Sequence, residues 1–179
     1  MALTAREFWL LFHLGVGVVY LHAFATGLGE LSRGAHRNRL LAGTWIMSIV
    51  AWLTVISGTW LVYPWYRAEP PTSAANNLKD YPQYYLEEHP NLIMWHEFGM
   101  EWKEHVGWLS PILATTVAYV VSRYGPKLAQ EEHRNMRRML TLLFIIAFVT
   151  AVVSGVLGAF INVVAPNTFV DLPNTFLDL

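Results

Sequence analysis

Four long stretches of this chain contain no charged side chain: Phe8 to Gly29, Leu40 to Tyr66, Val106 to Ser122 and Met139 to Val170. Inside a bilayer there is no water to satisfy backbone N–H and C=O groups, so a spanning segment must satisfy them itself, as a helix does. At 1.5 Å per residue, ~30 Å of hydrocarbon takes about 20 residues. Each stretch is near or above that length. With 54% hydrophobic and 14% charged residues, the chain is too apolar for an ordinary soluble domain. The expected fold is an all-α integral membrane protein, a four-transmembrane-helix bundle with spans at about 8–29, 40–63, 98–122 and 139–164. The third span is extended outward because "NLIMWHEFGMEWKEH" has helical spacing and no internal proline. The first lacks a basic leader region and carries two histidines, so it reads as a span and not a signal peptide.

Charge orients the bundle. Arg33, Arg37, Arg39, Arg123, Lys127, Arg134, Arg137 and Arg138 outweigh Glu30, Glu131 and Glu132 at one end. At the other, Glu69, Asp80, Glu87, Glu88, Glu97, Glu101, Glu104, Asp171 and Asp178 outweigh Arg67, Lys79 and Lys103. The positive-inside rule makes the basic end cytoplasmic and puts both termini outside, in what we expect to be a bacterial inner membrane. The outer connection, 64–97, is turn-rich, then aromatic and acidic; the tail, 165–179, repeats Pro-Asn-Thr-Phe and reads as a segment packing on a neighbour. No basic cluster suits nucleic acid. The absence of cysteine excludes disulfides, covalent c-type haem, thiolate metal sites and iron–sulfur clusters.

The tripeptide His-Arg-Asn occurs at His36 and again at His133, and the same register pairs Ser57-Gly58 with Ser154-Gly155. Upstream, "HLG" at His13 meets "HVG" at His105. The chain therefore reads as a duplicated two-helix unit. Counted from the charged boundary at the basic end, His13, His105, Gly58 and Gly155 all fall roughly 25–28 Å up, in one layer of the outer leaflet.

Two imidazoles can supply both axial bonds to a haem iron, and a glycine lets a flat macrocycle approach a helix backbone. On His13, His105, Gly58 and Gly155 the chain resembles the four-helix transmembrane b-type cytochromes as a class. The resemblance implies a haem b held in the outer leaflet with His13 and His105 as axial ligands to the iron. His36 and His133 at the basic end are candidates for a second haem, although interfacial anchoring also explains them. His22 lies about 180° round from His13, and its counterpart is Ala114, so it is expected to face elsewhere.

Glu97, Glu101, Glu104, His105 and Trp108 share one face at α-helical spacing, which reads chiefly as a solvated acidic surface. Trp60, Trp65, Tyr66, Trp95, Trp102 and Trp108 read as an interfacial aromatic belt. Glu87, Glu88, Glu97 and Glu101 can dock a soluble basic electron carrier, and acids here can relay quinol protons. The expected function is an electron-transfer subunit of a larger respiratory or photosynthetic complex, not catalytic alone. The alternatives are a cofactor-free accessory subunit of such a complex and a small transporter.

Overall fold

The computed structural model describes residues 5–33, 36–72 and 78–165. The repeated Pro-Asn-Thr-Phe tail lies outside them. All described secondary structure is helical. Helix α1 runs Ala5–Arg33 and α2 runs Arg37–Tyr66. After a 3-10 turn at Leu78–Asp80 comes the short α3, Pro82–Glu88. Helix α4 covers Trp95–Tyr124 and α5 covers Arg134–Val164. Four helices, α1, α2, α4 and α5, are long and apolar enough to cross a membrane. Each runs further toward the charged ends than its charge-free stretch.

The four pack as a ring, α1 on α2, α2 on α4, α4 on α5, and α5 back on α1 more sparsely. Helices α1 and α2 approach closest where Gly27 meets Gly43. A Cβ on Gly43 would lie 2.7 Å from the Gly27 nitrogen and 2.9 Å from its Cα. In lipid there is little hydrophobic drive between helices, so small residues that admit backbone contact provide the packing energy. The Phe144 ring of α5 closes over Gly27 from the other side.

Met47, Ala114, Val117, Ala118, Val121, Phe144 and Ala147 fill the centre and are fully buried. Tyr20 threads through it. Its hydroxyl donates to the Ala147 carbonyl at 2.9 Å and pairs with Ser110 Oγ at 2.8 Å, tying α1 to α4 and α5. Ser48 and Trp52 of α2 both reach Thr115 of α4. Interhelical bonds of this kind average about 0.6 kcal/mol each in a membrane, so they set register more than stability.

A second, smaller core lies at the acidic end. Leu86 of α3 is buried against Tyr66, Met100, Ile161 and Ala165, so the outer connection caps α2, α4 and α5. Around this cap two helices loosen. In α2, Ser57–Val62 is π-helical, with the Tyr63 N–H reaching back to the Gly58 carbonyl. In α4, Trp95–Met100 and Trp102–Val106 are π-helical, with Gly107 N–H bonded to Trp102 C=O at 3.2 Å. Bonds from i to i−5 widen the turn, and such segments concentrate at functional sites.

Candidate functional site

The widened ends of α2 and α4 are linked by Tyr63 to Glu104 and by Trp60 to Trp108, and ionisable side chains gather near them. His13 of α1 is half-buried and turned to α2, with Nδ1 at 3.0 Å from Ser57 Oγ. Ser57 gives its own proton to the Thr54 carbonyl at 3.1 Å, so its oxygen accepts from the imidazole Nδ1–H. In the neutral ring this places the proton on Nδ1 and the lone pair on Nε2. The ring rests on Gly58, where an added Cβ would come within 3.1 Å of His13 Cε1.

On α4, Lys103 turns inward against α5. Its Nζ is 2.8 Å from where a Cβ of Gly158 would stand, so it packs directly over that glycine. It is half-buried, within electrostatic reach of Glu104 and His13, and makes no hydrogen bond or ion pair among the described residues. Glu104 Oε1 accepts a hydrogen bond from the Tyr63 hydroxyl of α2. Tyr63 stacks on Tyr66, with ring centroids 6.0 Å apart and planes 16° from parallel.

From Tyr66 the polar path continues to the surface. Its hydroxyl is 2.8 Å from His96 Nδ1, and His96 Nε2 is 3.3 Å from Glu87 Oε1. The approach of His96 to Glu87 is a close polar contact, and in the tautomer protonated at Nε2 the ring's Nδ1 accepts from the Tyr66 hydroxyl. Glu87 is exposed and takes a bond from Gln83 Nε2 at 2.8 Å. Gln83 in turn accepts from Arg67 Nε, whose guanidinium lies 5.4 Å from the centre of the Tyr63 ring.

The structure brings His13 and Gly58 together but sends the other half of the expected pair elsewhere. The His105 side chain is 71% exposed, with Nδ1 on the Glu101 carbonyl at 3.0 Å and 3.3 Å from its carboxylate. A Cβ on Gly155 would meet nothing within 4 Å. The residues present therefore fit one axial haem ligand, and His13 and His105 do not converge as two. His36 is exposed and joined to Glu30, while His133 lies beside Tyr124 and Glu132. His22 is exposed on the bundle surface. Among the described residues no group of three or more His, Asp or Glu is arranged around a metal position.

One expectation is corrected. Glu104 and Trp108 do not lie on a common face with Glu101 and His105: Glu104 reaches α2, as does Trp108 through Trp52 and Trp60, whereas Glu101 and His105 point outward side by side. The α-helical spacing assumed for that face does not hold where α4 is π-helical. The aromatic belt is thinned for a related reason. Trp60 is 61% exposed, but Tyr66 is buried in the cap, Trp95 stacks on Phe160, and the Trp102 Nε1 is buried with no acceptor among the described residues.

Tyr63, His96 and Lys103 carry the site yet stood out little in the sequence. Lys103 sits among Glu101, Glu104 and His105, so its charged neighbours masked it. His96 acquires meaning only from Glu87 and Tyr66, nine residues before it and thirty. No protein-family model matches the chain, and no curated protein and no solved structure shows significant similarity to it.

Proposed function

We propose that this chain is a membrane subunit that conducts protons between its acidic end and the bundle interior, within an electron-transfer complex that handles quinone or haem b. The observation that carries the reading is the directed path Tyr66 to His96 to Glu87, joined by ring stacking to Tyr63 and Glu104. An imidazole that accepts at one nitrogen and donates from the other passes a proton by exchanging its tautomer. Between the stacked tyrosines one bridging water completes the path. Glu104, Lys103 and His13 then form its inner terminus, where the free His13 Nε2 is the acceptor. Ionisable groups within spans mark proton relays and ion pathways.

Under the positive-inside rule the acidic end faces outward, and Glu87 and Glu88 with Glu97 and Glu101 offer a docking face for a basic carrier. The duplicated two-helix unit belongs to the same reading: one copy supplies His13 and the other the acidic wall.

The test uses the whole chain in nanodiscs. Infrared spectra taken across pH should show a deuterium-sensitive carboxyl band that Glu104→Gln removes and Tyr63→Phe shifts. In membranes carrying the chain, His96→Gln should slow quinol-linked electron transfer by about a hundredfold, the low end for a positioned acid–base group. Unchanged bands and unchanged rates defeat the relay.

Haem b is a second reading, favoured by the free Nε2 of His13 beside Gly58. A bound haem would supply one-electron redox chemistry there, and this chain would supply one imidazole as arranged. A reduced-minus-oxidised spectrum that loses low-spin haem in both His13→Ala and His105→Ala would require His105 to turn inward. Absence of any haem signal would leave the relay or a cofactor-free accessory role.

A further inference from the structure

At the opposite, basic end an open cavity of about 470 Å³ lies between the end of α1 and the start of α5. It is lined by Leu31, Ser32, Arg134, Arg137, Arg138 and Thr141. Three guanidinium groups share it with one close acid: Arg134 pairs with Glu131. Arg137 donates to the Leu128 carbonyl at 3.0 Å, which holds its fork at the rim. Arg138 has no hydrogen bond or ion pair among the described residues, although it is exposed at the mouth. The hydroxyls cannot balance this charge by accepting protons alone, and both already donate to their own helices, Ser32 to Leu28 and Thr141 to Arg137.

We infer that this cavity binds the phosphate headgroup of an anionic phospholipid. Arginine forks match phosphate oxygens in pairs, and basic pockets between spans at the cytoplasmic boundary take such headgroups. Depth selects a lipid over a soluble anion. The cavity sits where the charge-free part of α5 begins, and Met139, Leu142, Ile145 and Ile146 continue directly into the span as exposed apolar surface. A headgroup in the cavity places its acyl chains along them.

The experiment is thermal unfolding and native mass spectrometry of the full chain in mild detergent, with added phosphatidylglycerol, phosphatidylcholine or inorganic phosphate. Phosphatidylglycerol should be retained and should raise the unfolding temperature. Arg138→Gln should weaken retention about fivefold, as should Arg134→Gln, with the pair acting more strongly. Arg138→Lys should retain most binding. Arg123→Gln and Lys127→Gln, at the same end but outside the cavity, should change little. Equal retention of phosphatidylcholine overturns the site, as does an Arg134→Gln/Arg138→Gln variant that binds like wild type. Equal protection by inorganic phosphate overturns the lipid assignment.

Discussion

Positions that the repeat register makes equivalent end in different surroundings in the two halves. His13 leans on Ser57 and Gly58 inside the bundle, whereas His105 is turned out beside Glu101. Ser57 holds a histidine of the neighbouring helix, but Ser154 donates to Thr150 of its own helix and lies beside Gly107. Carried further, the register sets Gly43 against Leu140, and Leu11 and Phe12 against Lys103 and Glu104. Gly43 lets α1 and α2 touch backbone to backbone. Leu140, buried in the core, keeps α5 further from its neighbour. Apart from His13, which the register matches to His105, several groups assigned to the relay depart from the repeat: Tyr63 stands where the second half has Phe160, and Tyr66 where it has Val163. On this reading the shared register accounts for helix lengths and heights, and the residues that differ between the halves carry the proposed relay.

The comparison can be broken most decisively at the closest crossing. Gly43→Ala sets a methyl against Gly27 backbone, which cannot rotate away, so the helices must part. We expect a loss of about 3 kcal/mol, the upper end for overpacking, read by chemical unfolding in detergent. A variant as stable as wild type would mean that α1 and α2 are not in backbone contact.

Next in size is the histidine pair. His13→Ala removes an interhelical bond and opens space against Gly58, and should cost about 2 kcal/mol. His105→Ala touches an exposed ring and should stay within about 0.5 kcal/mol. Equal losses would place both rings in the interior and restore the symmetric picture.

Smaller, but differing in sign, are the two outer glycines. Gly58→Ala crowds the His13 ring at 3.1 Å and should destabilise by about 1 kcal/mol. Gly155→Ala enters open space and should stabilise by about 0.5–1 kcal/mol, since alanine loses less entropy in a helix. Nitrogen NMR of His13 sharpens the first result: wild type should show Nδ1 protonated, and Gly58→Ala should lose that tautomer preference.

The weakest effect expected is topological in readout. Protease applied to right-side-out vesicles should cut between Pro70 and Asp80 and spare 123–138 if the positive-inside rule orients the proposed bundle. Cleavage among the arginines would invert the relay and the lipid cavity together.

That the chain forms four helices long and apolar enough to cross a membrane could be read from residue order, because length and polarity are properties of each helix independently of its neighbours. The near level of His13 and Gly58 was legible for the same reason, since depth along a regular helix is a matter of counting. Which side of a helix a residue occupies was not. In α4 it depended on π-helical turns that arise where the cap of Tyr66, Leu86 and Met100 packs on the bundle, and they separated Glu104 from His105. The Tyr66–His96 hydrogen bond and the His96–Glu87 contact join three separate elements, so local spacing carries no trace of them. Periodicity assumes one fixed turn angle per residue, and tertiary packing at the acidic end changed that angle.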